Sequence, residues 1–191
     1  LYASLAEAGF FQKDECMTLR KIGSRLQGHP SKDSELPGVE TSAGSLGQGL
    51  GIAIGMALSA KMDDKNYRTY CVMGDGELQE GSVWEAAMAA SNYRLDNLCA
   101  IIDRNRLQID GSTENVMALE PLDEKWTSFG WNVVEIDGHD HNDIVDAFDV
   151  ARATKGQPTL ILANTIMGKG VRSIENDNKW HGKVPTKEQL I

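Results

Sequence analysis

Four short apolar runs, each bounded by turn formers or charged residues, stand out along the chain: TYCVM at 69–73, NLCAIID at 97–103, WNVVEID at 131–137 and PTLILANTI at 158–166. Near-continuous runs of this length, rich in branched and aromatic residues, read as strands buried on both faces. Between them the period changes. GSVWEAAMAASNY (81–93) and NDIVDAFDVARAT (142–154) repeat apolar residues at helical spacing, the second opened by Asn142 as its N-cap. Short helices are predicted at 1–8, 14–21 and 121–128, and a longer one at 45–62. In that longer segment Gly47, Gly51 and Gly55 recur every four residues and so share one helical face. Each costs about 1 kcal/mol against alanine in a helix, and close approach of another helix or a ligand would offset that cost. Residues 28–44 (GHPSKDSELPGVETSAG) and the tail beyond 167 read as loops.

Strand, helix, strand, helix, strand in this order predicts an α/β fold with a parallel sheet flanked by helices. Such sheets bind ligands beyond the carboxyl ends of their strands, so the loops after 73, 103, 137 and 166 are the ones to inspect. The 191 residues suit a single domain. LYASLAEAGF opens as if inside a helix and TKEQLI stops as one begins, so the domain is expected to be incomplete at both ends.

Composition narrows the ligand. Formal net charge is −9, with none of the basic footprint a nucleic-acid binder needs. The most apolar run, LGIAIGMAL (50–58), is far short of the ~20 residues of a membrane span. Cys16, Cys71 and Cys99 are odd in number and widely spaced, as expected of buried free thiols in a reducing compartment, hence a cytoplasmic location. An anionic ligand must be held by backbone N–H groups, a metal or a few His and Lys.

The strand exits carry the candidate chemistry. After 73 comes GDGELQEG (74–81), and after the next strand RNRLQIDG (104–111). Asp75 and Asn105 are thirty residues apart, one strand–helix–strand unit, so both fall at the same edge of a parallel sheet. A carboxylate, an amide oxygen and a backbone carbonyl are hard ligands that suit Mg²⁺ or Ca²⁺ together with phosphate oxygens. Gly74 and Gly76 would let backbone approach a diphosphate closely. Alone, Gly-Asp-Gly is an ordinary turn. Gly76 and Gly81 have the spacing of a P-loop, but Ser82-Val83 replaces its Lys-Ser/Thr, and GSLGQGLG (44–51) follows a loop where a dinucleotide site needs a strand. His139 and His141 flank Asp140 in a strand-exit turn and lack a third metal ligand at suitable spacing.

The whole constellation resembles the transketolases. GHP (28–30), ELPGVETSAGSLGQGLGIAIGMA (35–57), GDGELQEGSVWEAAMAASNYRLDNLCAIIDRNRLQIDG (74–111), WNVVEIDGHD (131–140) and KWHGKVP (179–185) match in collinear order over almost the whole chain. The resemblance implies the thiamine diphosphate-binding fold, in its diphosphate-binding domain, with thiamine diphosphate and Mg²⁺ or Ca²⁺ as cofactors. It implies Asp75, Asn105 and the Leu107 carbonyl as metal ligands, and Gly74, Gly76 and Glu77 in the cofactor site. Gly44, Ser45 and Leu46 would line the cofactor, although many family members have proline where Ser45 stands. His29 and His181 would face the substrate and the reactive ring, with His181 also near the diphosphate. Glu80 and Glu85 would lie at a dimer interface and link two active sites, with Trp84 between them as an interface anchor or a core residue. Arg104 is a departure, and a cation there is expected to point away from the metal.

A full transketolase also has a pyrimidine-binding domain that activates the cofactor, and nothing of that domain is in this sequence. The resemblance therefore implies the N-terminal subunit of a split transketolase, or a fragment of that domain, acting on sugar phosphates with a C-terminal companion and a second copy of itself, and expected to be inactive alone. The alternatives are a deoxyxylulose-phosphate-synthase-like enzyme and a non-catalytic regulatory subunit.

Overall fold

The computed structural model describes residues 1–190. They fall into two compact units that meet between Leu46 and Gly47 in the chain. In the first, helix α1 (Tyr2–Glu7) and a 3-10 turn at Lys13–Thr18 surround a small core of Ala6, Phe11, Leu26, Leu36 and Val39. The predicted helix at 14–21 is only that 3-10 turn, because Leu19 turns extended and Arg20 takes a left-handed conformation (φ 60°). Arg25 grips Glu15 at 2.8 and 3.0 Å from the neighbouring turn.

The second unit is built on strands β1 (Thr69–Gly74), β2 (Leu98–Arg104), β5 (Asn132–Asp137) and β6 (Thr159–Asn164), all parallel, in the order β1-β2-β6-β5. A two-strand hairpin, β3 (Leu107–Gln108) with β4 (Gly111–Ser112), stands apart from the sheet. Register aligns Gly74 with Asp103, Arg104 with Asn164, and Asp137 with Asn164, so these strands end on one edge. One face carries Cys71, Met73, Ala100, Ile102, Leu160 and Leu162 against α2 (Gly49–Met62), α3 (Gly81–Asn92) and α5 (Leu122–Ser128). A short helix, α4 (Thr113–Val116), precedes α5. The other face packs Cys99, Ile161 and Ala163 against α6 (His141–Ala153), leaving Val72 of β1 73% exposed.

Two details differ from the sequence reading. Helix α2 starts at Gly49 rather than 45, because Gly44 and Gly47 hold φ +134° and +81°. Gly47 therefore lies outside the glycine stripe, and around Gly51 and Gly55 there is open space. The cap of α6 is Asp140, not Asn142: its carboxylate accepts the N–H groups of Asn142 and Asp143. Trp84 is partly buried and packs against the core. Its ring lies 5.4 Å from Trp126 and 5.6 Å from Phe129, and its Nε1–H donates to the Leu78 carbonyl at 2.9 Å.

Among the described residues no helix is long and apolar enough to cross a membrane. All three thiols are free, and burial pushes Cys71 and Cys99 up to about 11. At pH 8 both are expected to resist iodoacetamide while half-buried Cys16 is alkylated. Mass spectrometry of the native protein checks this, and equal labelling of all three thiols would contradict the buried positions.

Candidate functional site at the carboxyl edge of the sheet

The site is built where β1 and β2 end. Asp75 follows β1 and caps a 3-10 turn at Gly76–Gln79, its Oδ1 accepting the Gly76 N–H at 2.8 Å. Its own N–H donates to the Asp103 carbonyl at 3.2 Å, tying the first loop to the second strand. Oδ2 accepts the Arg106 N–H at 2.5 Å and Arg104 Nη1 at 2.9 Å. The side chain is 1% exposed. Burial raises the Asp75 pKa, and Arg104 together with the two backbone N–H groups does not cancel that penalty. The carboxylate thus remains short of positive charge, with a lone pair of Oδ1 still unused.

Arg104 does the opposite of what its place beside a metal site predicts. It points at Asp75 and is fully buried. Its Nη1 also donates to Thr113 Oγ1 at 2.8 Å, and Nη2 donates to Glu114 Oε1 at 2.9 Å and Glu120 Oε1 at 2.7 Å. Three carboxylates surround the guanidinium, so its charge is matched before it reaches a cation. The acids are organised in turn: Glu114 accepts the Leu119 N–H at 3.2 Å and Glu120 the Leu122 N–H at 2.9 Å. Burial opposes ionisation of both glutamates, but these N–H groups and Arg104 outweigh it and hold them below the usual carboxylate range.

Asn105 follows Arg104. Its Oδ1 accepts the Leu107 N–H at 2.9 Å and its Nδ2 donates to Asp103 Oδ1 at 3.3 Å, which fixes the amide in one sense. The local turn is closed by Arg106 at φ 65° and by the Thr113 N–H donating to the Arg106 carbonyl at 3.0 Å. Gly76 has no room to spare, since a Cβ there would lie 3.1 Å from Cβ of Gln108, whereas Gly74 faces open space. Glu77 is engaged with backbone: its carboxylate accepts the Gly47 N–H at 2.9 Å and the Gly74 N–H at 3.3 Å. It therefore braces the loop.

The other predicted residues sit on other segments of the chain. Glu80, the N-cap of α3, and Glu85, one turn on, are both exposed. The Cβ of Glu80 lies 2.8 Å from where a side chain on Gly47 would start. His181 is exposed on the tail, just after a 3-10 turn (Asn178–Trp180) whose Asn178 Nδ2 donates to the Ile109 carbonyl at 2.9 Å. In the first unit, His29 packs directly on Gly44, where a Cβ would come within 2.6 Å of the imidazole, while Ser45 and Leu46 are exposed. His139 ties strand ends together, its Nε2 accepting the Ile166 N–H at 2.8 Å, in keeping with a structural turn. Among the described residues there is no cluster of three or more His, Cys, Asp or Glu arranged for a metal.

A divalent cation fits the donor set that remains: one anionic oxygen short of positive charge, one oriented amide oxygen, and backbone beside them. The family model described as "Transketolase, thiamine diphosphate binding domain" matches residues 1–190. The chain belongs to this transketolase family. A relative from Phocaeicola vulgatus, named as one of the subunits of apulose-4-phosphate transketolase, is 50% identical over 189 residues, covering 99% of this chain and 66% of the relative. A 6-deoxy-6-sulfo-D-fructose transketolase subunit from a Clostridium species is 44% identical, over 98% of this chain and 68% of its own length. The transketolase of Leishmania mexicana superposes with a TM-score of 0.86 at 35% identity, over 93% of this chain and 28% of that one. The chain thus spans about two thirds of the subunit relatives. The parallel sheet is that of the transketolase thiamine diphosphate-binding fold.

Sequence reasoning missed Thr113, Glu114 and Glu120 as partners of the site. The signal was strand parity: Leu98, Ala100 and Ile102 point to one core face, and Arg104 continues the alternation. A cation at an inward position needs acids around it.

Proposed function

We propose that this chain is the diphosphate-binding, N-terminal subunit of a transketolase that moves a two-carbon ketol unit from a ketose phosphate to an aldose phosphate. The observation that carries the reading is the joined pair of loops, in which Asp75 bonds both Asp103 and Arg106 and so draws the Asp75 and Asn105 loops together. Its family membership gives that pair its cofactor. Asp75 Oδ1, Asn105 Oδ1 and the Leu107 carbonyl would hold Mg²⁺, with the N–H of Gly76 toward the diphosphate. Bound thiamine diphosphate supplies the electron sink for cleaving and forming the carbon–carbon bond. The chain's own part is to fix the diphosphate end and to move protons, for which His29 and His181 are the imidazoles to test. Glu80 and Glu85, exposed at the start of α3, are assigned to the contact with a second copy. The free thiols suit a reducing compartment such as the cytoplasm.

Both of the relatives described above from Phocaeicola vulgatus and Clostridium carry the word subunit in their names. The companion is accordingly a chain bearing the pyrimidine-binding domain. Ketol transfer is expected only when the two chains are mixed, with thiamine diphosphate and Mg²⁺ present. The assay is product formation from a panel of ketose phosphates, with each chain alone and combined. Full turnover by this chain alone would refute the split arrangement, and no cofactor binding by the pair would refute the transketolase reading.

A further inference from the structure

We propose that Arg104 is the positioning residue of the cation site: it fixes Asp75 so that only Oδ1 is offered, and thereby favours Mg²⁺ over Ca²⁺. The inference rests on the cation reading above and goes beyond it, by assigning the choice of ion to a residue that does not touch it.

Arg104 is fully buried and its guanidinium is held from behind by Thr113, Glu114 and Glu120, at 2.7–2.9 Å. The planar fork leaves little freedom once several N–H groups are engaged. It therefore presents Nη1 to Asp75 Oδ2 from a fixed direction. With the Arg106 N–H also on Oδ2 and the Gly76 N–H on Oδ1, the carboxylate is pinned against rotation about its terminal torsion. A carboxylate so pinned binds a cation through one oxygen. Mg²⁺ demands near-ideal octahedral geometry with short bonds, whereas Ca²⁺ accepts bidentate carboxylates and irregular shells. Electrostatic repulsion acts the other way, since removing a cation near a metal strengthens binding. Here the guanidinium faces three carboxylates, so orientation outweighs repulsion.

The test is equilibrium titration of Mg²⁺ and of Ca²⁺ at saturating thiamine diphosphate, followed by cofactor circular dichroism, on the chain with its companion. Arg104→Gln is expected to weaken Mg²⁺ binding about 10- to 100-fold, the usual effect of losing an outer-shell partner. Ca²⁺ binding should fall much less, so the ratio of the two dissociation constants shifts toward Ca²⁺. Arg104→Lys restores charge without the fork and keeps the shifted ratio. Should Arg104→Gln not fold, Thr113→Val combined with Glu114→Gln loosens the guanidinium from behind while leaving Asp75 and Arg104 in place. A smaller shift of the same sign is then expected. Equal loss for both ions, no change, or tighter Mg²⁺ binding in the folded variants would overturn the inference while leaving the cation site standing. Failure of the wild-type pair to bind either ion would overturn the cation reading itself and this inference with it.

Discussion

Asp75→Ala is expected to abolish cation-dependent binding of thiamine diphosphate and to destabilise the fold at the same time. The residue is buried and holds three donors: the N–H groups of Gly76 and Arg106, and Arg104 Nη1. Removing it takes away the only anionic ligand in the proposed set, and the affinity loss should exceed the roughly 100-fold seen for outer-shell changes. It also leaves a buried guanidinium without its buried partner, which costs about 3–5 kcal/mol when one member of such a pair is deleted. Asp75→Asn separates the two effects. Its amide oxygen can still accept from Arg104 and the Arg106 N–H, at the cost of setting an NH₂ against the Gly76 N–H, so the melting temperature should fall less than for alanine, while cation-dependent binding is still lost. Differential scanning fluorimetry and cofactor titration read the two quantities independently. An Asp75→Ala chain that bound cofactor as tightly as wild type would remove the metal assignment.

Gly47→Ala is expected to be strongly destabilising. Gly47 is at φ +81°, and a Cβ there would lie 2.6 Å from Ser82 Oγ and 2.8 Å from Glu80 Cβ. The left-handed backbone costs about 1–2 kcal/mol for an L residue. Overpacking adds about 1–3 kcal/mol, and the Glu80 Cβ, unlike a side-chain tip, cannot swing aside. For a chain of this size the melting temperature should drop by roughly 5–15 °C. The shift also displaces the Gly47 N–H from Glu77, so the brace on Gly74 weakens and cofactor affinity falls with it. Gly51→Ala is the contrasting control. It lies inside α2 with open space around it, and should stabilise the isolated chain by up to about 1 kcal/mol. A Gly47→Ala protein as stable as Gly51→Ala would show that the conformation assigned to residue 47 is wrong.

The sheet was legible because it is parallel and buried. All four predicted runs became its four strands, within two residues at either end, since continuous Val, Ile and Leu bounded by Gly and Asp admit few other readings. The placement of Asp75 and Asn105 at one edge followed from the thirty-residue spacing of the unit between them. What was not legible depended on direction rather than position. The start of α2 was misplaced because glycine spacing says nothing about the sign of φ, and positive φ at 44 and 47 delays the helix. Asn142 was taken as a cap because both it and Asp140 have capping side chains, and only the backbone decides which one stands outside the helix. Arg104 was expected to avoid Asp75 because a one-dimensional reading counts charges pairwise. The acids that make its burial tolerable come from ten and sixteen residues further on, in a segment that reads as a plain loop.

That cage also sets how the molecule opens. The amides of Leu119 and Leu122 end on carboxylates that grip Arg104, and the amide of Arg106 ends on the carboxylate that Arg104 grips. Release of any of these N–H groups to solvent removes a bond that orients a carboxylate on the same guanidinium. The segment from 112 to 122 and the exit of β1 are therefore expected to open together, although they lie about forty residues apart in the chain. A cation bound at Asp75 would slow exchange in a loop it never touches, so occupancy of the site becomes visible in the protection of Leu119 and Leu122.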